Sequence, residues 1–266
     1  MSTGCLLSLL WVSGKQLCDQ RKKNYRCMIK MEPKVAKAEI KEYYERHHRE
    51  RKENSWRPFE AYQLIQKYLN MKKGKKLLDI GCGTGYLLKT AELKGLITYG
   101  IDISKEAVNI SKTITDNSQL SVAEGEKLPF CDGCFDYVTC LGTLEHFLNV
   151  NKGVQEMARV SKNSAVVCIL VPNINFFGWK TQNKGTGQIN EFLFDLRGWS
   201  EILKKNGLVI RRIYQDKWLM NEINLLEDKN PLRLLKRLFY KLRWIFLPLD
   251  LAYQFIFICS KISIKT

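Results

Sequence analysis

The chain is poor in histidine, with three in 266 residues, and poor in proline, with six. Histidines at His47, His48 and His146 do not complete a zinc site with the one close cysteine pair, Cys131 and Cys134, because tetrahedral ligation asks for a second pair or well-placed imidazoles. That pair reads as a turn that carries two thiols, and no metal centre is expected. No apolar run reaches about 18 residues, which excludes an ordinary membrane-spanning helix. Acid is also short: 27 Asp+Glu stand against 43 Lys+Arg, a formal charge of +16. Such a surface favours anionic partners, whether phospholipid, nucleic acid or phosphorylated metabolites, without choosing among them. The nine cysteines are scattered, and Cys140, Cys168 and Cys259 fall inside apolar runs where a thiol acts as a small hydrophobe. This usage suits a reduced, cytoplasmic protein.

Apolar residues make up 45% of the chain, enough for a sizeable core. The first thirty residues have a short apolar stretch with no basic residue before it and no small-residue cleavage site, so a signal peptide is not expected. Composition changes near Met28 and Met31, and residues 1–33 read as a disordered leader or as a stretch ahead of the native start. The domain is expected over 34–266. It begins with a charged helix, "EPKVAKAEIKEYYERHHRERKE", and from residue 57 strands and helices alternate. Strands are predicted at 76–80, 96–102, 120–125, 134–142, 164–172, 208–215 and 252–261, with helices between them. Such alternation implies crossover connections and a parallel sheet covered on both faces.

The first strand ends in "LLDIGCGTGYLL", three glycines at alternate positions behind an apolar run that closes on Asp79. In a doubly wound sheet ligands sit beyond the carboxyl ends of the strands, at this turn. A nicotinamide dinucleotide would want GxGxxG and a helix N-terminus facing a pyrophosphate. Here Gly81, Gly83 and Gly85, with Cys82 between the first two, give GxGxG followed by Tyr86. That spacing argues for a smaller, non-phosphorylated adenosyl ligand. Asp79 would bring a carboxylate toward the ligand's ammonium and sulfonium end, and Asp102, closing the second strand, would accept hydrogen bonds from both ribose hydroxyls. Together these residues describe S-adenosylmethionine.

The ordered set "LLDIGCGTG", "YGIDIS", "AEGEKLPF", "CFDYVTCLGTLEHF" and "EMARVSKNSAVVCILVPN" resembles the successive motifs of class I S-adenosylmethionine-dependent methyltransferases, over roughly residues 57 to 215. It is most similar to the small-molecule branch that includes quinone-biosynthesis and sugar- or lipid-modifying enzymes. The resemblance implies a seven-stranded, mostly parallel Rossmann-like sheet with an antiparallel last strand. It also implies that Glu124, where Asp is commoner, contacts the adenine amine, that Gly125 approaches the base through its backbone, that Ile103 packs on it, and that Leu141 lines the cofactor. Tyr44 either closes over the cofactor or packs its helix onto the sheet.

For a hydroxyl acceptor the candidate bases are Glu145 and His146, directly after the fourth strand, with His146 favoured because an unperturbed imidazole titrates near neutral pH. The loop over 172–195 is a candidate substrate cover, and Glu191 within it is a candidate for orienting substrate. Methyltransferases acting on exocyclic base amines carry an Asn/Asp-Pro-Pro-aromatic turn where this chain has "CLGTLEHF", which disfavours that activity.

About 36 residues separate "LVIRRIYQ" from "AYQFIFICSK", and a helical insertion is expected over 219–251. Within it, residues 230–248 read as a helix. Leu234, Leu235, Leu238, Phe239, Leu242, Ile245 and Phe246 share one face, and Arg233, Lys236, Arg237, Lys241 and Arg243 the other. Core packing with a solvated basic face and an interfacial helix on anionic lipid stand as equal readings. The leading expectation is methyl transfer to a small or lipid-linked metabolite, at a hydroxyl oxygen, by a cytoplasmic enzyme peripheral to the inner membrane face. RNA methylation and a non-catalytic partner module are the alternatives.

Overall fold

The structure is a computed structural model and describes residues 35–54, 57–176, 188–217 and 247–262. The leader over 1–33, most of the insertion over 219–251 and the middle of the loop over 172–195 lie outside the described residues. In chain order the elements are α1 (Lys37–Arg51), α2 (Phe59–Leu69), β1 (Lys76–Ile80), α3 (Tyr86–Glu92), β2 (Ile97–Asp102), α4 (Lys105–Ile114) and β3 (Gln119–Val122). Then follow β4 (Phe135–Leu141), a 3-10 turn (Leu144–His146), α5 (Val150–Val160), β5 (Ser161–Pro172), α6 (Leu196–Lys205), β6 (Leu208–Gln215), a second 3-10 turn (Leu249–Leu251) and β7 (Gln254–Lys261).

The seven strands form one sheet in the order β3-β2-β1-β4-β5-β7-β6. Neighbours from β3 through β5 are parallel, and β7 runs antiparallel to both β5 and β6. This is the doubly wound arrangement with an antiparallel last strand that the alternation and the resemblance imply. β7 inserts between β5 and β6 rather than at an edge, so its residues from Gln254 to Cys259 are all buried. Their near-continuous apolar run is what a strand covered on both faces requires. β5 starts at Ser161, three residues ahead of the predicted strand, because Ser161 pairs with Phe135 before the register shifts and Val166 pairs with Tyr137. Polar residues in the shifted stretch hide that first pairing from an apolar pattern.

Helix ends follow local chemistry. Ser104 caps α4 by accepting from the Ala107 amide, while Asn149 and Asp195 cap α5 and α6 in the same way. Trp199 of α6 is fully buried, meets Phe194 edge to face at 4.9 Å and donates its indole N–H to the Pro172 carbonyl at 2.9 Å. That contact anchors the chain on either side of the long loop. One expectation is corrected: Cys131 and Cys134 are not a pair of free thiols but form a disulfide across the turn, where Gly133 at φ 64° brings their Cα atoms to 5.8 Å. Cys82, Cys140, Cys168 and Cys259 are buried free thiols. No helix among the described residues is long and apolar enough to cross a membrane.

Candidate active site

The strand order turns outward from β1 in one direction and from β4 in the other, which opens a crevice beyond their carboxyl ends. A cavity of about 350 Å³ occupies it, within the size range of small-molecule sites. Ten of the predicted residues line it: Gly81, Cys82, Gly83, Asp102, Ile103, Glu124, Gly125, Leu141, Glu145 and His146.

At the turn after β1, the Gly81 and Cys82 amides donate to the Ile101 carbonyl at 2.8 and 2.9 Å, which bends the chain back onto β2. Gly81 sits at φ 71°, and a Cβ there would come within 2.3 Å of the Thr143 side chain, so the glycine is needed both for conformation and for space. Asp102 is buried and accepts from the Gly83 amide at 3.0 Å and from the Ser104 amide at 2.9 Å. Each oxygen takes one N–H and keeps lone-pair capacity toward the cavity. Burial raises its pKa, and the nearby His48 opposes that rise. Glu124 stands at the cavity mouth in an ion pair with Lys37.

Three predicted residues do not line the cavity. Asp79 is 4% exposed and points into the sheet, where it accepts from the Thr139 hydroxyl at 2.6 Å. Burial lifts its pKa to about 7, against the Thr139 hydrogen bond. That hydrogen bond ties β1 to β4. Gly85 is the N-cap of α3 at φ 83°, and a Cβ there would lie 2.2 Å from the Ser111 hydroxyl. It lets α3 pack on α4 and is not among the residues lining the cavity. Glu191 lies close enough to raise the pKa of Glu145, Tyr44 and Tyr253, but it is not part of the wall.

Glu145 and His146 sit on the 3-10 turn, 2% and 5% exposed. Burial pushes the Glu145 carboxyl up to about 8 and the His146 imidazole down to about 4. The near-neutral value that recommended His146 is thus overturned by its desolvation. The His146 Nδ1 lies 3.0 Å from the Ile189 carbonyl, and a carbonyl can only accept, so Nδ1 carries the proton and Nε2 the lone pair. Neither His146 Nε2 nor Glu145 Oε2 has a hydrogen-bond partner among the described residues, and Nε2 lies 4.0 Å from Glu145 Oε1.

Apart from Tyr44, the sequence reading missed the wall supplied by α1 and by the segments beside the insertion. Lys37, Ile40, Tyr44, His48 and Arg51 recur at helical spacing and all line the cavity. The stripe was visible as a period, but its polar character does not register as an apolar face. Glu45 docks this helix: its carboxylate accepts from the Ser104 hydroxyl and from the Lys105 and Glu106 amides at 2.8 to 3.1 Å, at the N-terminus of α4. Tyr44 meets the His146 ring at 5.8 Å and donates to Gln188 at 3.3 Å, so it both closes the cavity and packs its helix. Arg57, between α1 and α2, lines the far end and pairs with Asp216 and, at 2.7 Å, with Gln254.

A Rossmann-like sheet in this strand order, with a glycine turn and a buried acid after β2, defines the methyltransferase class of doubly wound proteins. A methyltransferase domain family matches residues 78–169. An uncharacterized protein of Methanocaldococcus jannaschii is 35% identical over 148 residues, covering 54% of this chain and 56% of that protein. The ubiquinone biosynthesis O-methyltransferase of Dechloromonas aromatica is 34% identical over 110 residues, covering 38% and 46%. The chain thus spans about half the length of the curated relatives it matches. In fold it is similar to magnesium protoporphyrin IX methyltransferase from Synechocystis PCC 6803 with bound SAH, at TM-score 0.59 and 14% identity over 85% of this chain and 100% of that one. Residues 78–169 thus match a methyltransferase domain, the fold is that of the class I S-adenosylmethionine-dependent methyltransferases, and S-adenosylmethionine is the cofactor that this match implies. The residues fit that group: two glycines remove side chains from the wall, and Asp102 keeps acceptor capacity for a diol.

Proposed function

We propose that this protein methylates a hydroxyl oxygen of a small or lipid-linked metabolite, with His146 and Glu145 acting together on the acceptor proton. Gly81, Cys82 and Gly83 would hold the methionine portion of the cofactor and Asp102 its ribose. Ile103, Gly125 and Leu141 would enclose the base, with Glu124 toward its amine. When bound, S-adenosylmethionine supplies an electrophilic methyl group on a sulfonium. The chain's own task is then to orient a hydroxyl and receive its proton.

The observation that carries this reading is the neutral His146 imidazole, held on the Ile189 carbonyl so that Nε2 is an acceptor. Taken alone, an imidazole pushed down to about 4 is a weak base. A carboxylate 4.0 Å from Nε2 changes that. At an effective dielectric constant near 20 the attraction is on the order of 4 kcal/mol, enough to return the imidazole to the neutral range. Glu145 becomes that carboxylate only as pH rises through about 8. Turnover with a hydroxyl acceptor is therefore expected to climb through about pH 8. In Glu145→Gln this limb should disappear, and His146→Ala should lower turnover by roughly 10² to 10⁴ with cofactor binding retained. A flat profile between pH 6 and 9, together with a loss below tenfold in His146→Ala, would assign both residues to structure.

The lipid-linked part rests on the apolar and basic residues that recur at helical spacing in the sequence over 230–248 and on the exposed aliphatic residues Ile174 and Leu251, 39% and 41% exposed. Five cations at about 1 kcal/mol each near an anionic surface would add to the apolar contribution and hold the enzyme on the cytoplasmic face. Sedimentation with anionic vesicles should show binding that weakens with salt and is lost when Lys236, Arg237 and Lys241 become Glu. Wild type left in the supernatant at low salt would remove the lipid-linked acceptor from the reading.

A further inference from the structure

His146 is held by a short piece of backbone that the catalytic reading leaves unexplained. Three hydrogen bonds join residues 189–192 to residues 145–146: His146 Nδ1–H donates to the Ile189 carbonyl at 3.0 Å, Asn190 Nδ2 donates to the His146 carbonyl at 3.1 Å, and the Phe192 amide donates to the Glu145 carbonyl at 2.8 Å. Asn190 has φ 47°, a left-handed conformation that asparagine tolerates better than other residues with a side chain. That φ fixes how the Ile189–Asn190 peptide is turned relative to the rest of the loop, and so where the Ile189 carbonyl points. Beyond it, Phe192 is 4% and Phe194 8% exposed, and Phe194 packs on Trp199, so the turn is built on buried anchors.

We infer that Asn190 is a positioning residue for His146: its left-handed turn and its amide together aim the Ile189 carbonyl at Nδ1, which fixes the imidazole as the Nδ1–H tautomer and reserves the Nε2 lone pair for the acceptor. This inference rests on the proposed role of His146, but the tautomer is a property of the protein before any reaction. The physical logic has two parts. A buried imidazole without a directed acceptor is free to place its proton on either nitrogen, and only one of the two forms offers Nε2 as a base. An unsupported Nδ1–H would also leave a buried donor unsatisfied, which keeps the ring and the turn in register.

Because the chain has only three histidines, nitrogen NMR of the full-length protein can resolve each ring, with His146→Ala identifying the His146 signals. Wild-type His146 is expected as a single neutral form protonated at Nδ1. Asn190→Ala removes both the amide and the preference for positive φ. It should give a mixture of the two tautomers and a fall in kcat on the order of 10- to 100-fold, with cofactor affinity within about twofold. Asn190→Gly keeps the turn while losing the amide, and it should retain the Nδ1–H form and recover most of the rate. Wild-type His146 protonated at Nε2, or Asn190→Ala with the tautomer unchanged in a folded protein, overturns the inference. Failure of the base reading would show differently, as a correct tautomer with His146→Ala still active.

Discussion

Asp102→Ala is expected to lower S-adenosylmethionine affinity by about 10²- to 10⁴-fold, read by titration calorimetry on the folded variant. The magnitude follows from two hydrogen bonds to one buried carboxylate, each on the order of 1.5 to 3 kcal/mol, at 1.4 kcal/mol per tenfold change. Asp102 is suited to this because its geometry is already fixed. The Gly83 and Ser104 amides hold one oxygen each, and the pKa rise from burial is opposed by His48. Asp102→Asn separates two contributions, since an amide can accept on one side only and would present N–H to an amide donor on the other. It should bind more weakly than wild type and lose part of the Gly83 contact. Unchanged binding in Asp102→Ala would mean that the ribose lies elsewhere, and the assignments of Ile103, Glu124 and Gly125 would fall with it.

The β1–β2 side of this cavity was legible in the sequence because its chemistry is local. Glycines at a strand end, an acid closing the next strand and an N-cap serine each act within a few residues of their own position. Gly81, Gly83, Asp102 and Ser104 accordingly appear where the spacing puts them. Asp79 and Gly85 share the same motif but are not on the cavity wall, because adjacency in sequence does not say which side of a turn a residue faces. Asp79 faces Thr139 across the sheet and Gly85 faces Ser111 on α4, and both partners lie more than 20 residues away. The acceptor half is assembled almost wholly from distant pieces. Tyr44, Arg57, Tyr253 and Gln254 meet only because α1 folds back over the crevice and β7 inserts beside β5. No local period encodes those meetings. The pKa of His146 was misjudged for the same reason, since burial is set by Tyr44 and residues 189–192.

The acceptor half also carries the largest expected effect on stability. Asp216 is 2% exposed, and its carboxylate takes both terminal nitrogens of Arg57, which donates in addition to Gln254. The pair ties the segment ahead of α2 to the ends of β6 and β7, which are already laddered to each other. Removing one partner leaves the other charge buried without it, at a cost of about 3 to 5 kcal/mol, whereas removing both spares that penalty. Asp216→Ala is therefore expected to lower the urea midpoint strongly, Arg57→Leu by a comparable amount, and the double variant by clearly less than the sum of the two. For a domain with about 5 to 15 kcal/mol of total stability, either single variant should be close to unfolding at 37 °C, while the double variant should survive. Additive losses would mean that the two side chains act independently, and single losses below about 1 kcal/mol would mean that water screens the pair. In the surviving double variant the Arg57 charge, which lowers the Glu145 pKa, is gone, so the carboxyl should hold its proton to still higher pH and the rising limb of turnover should move above about pH 8.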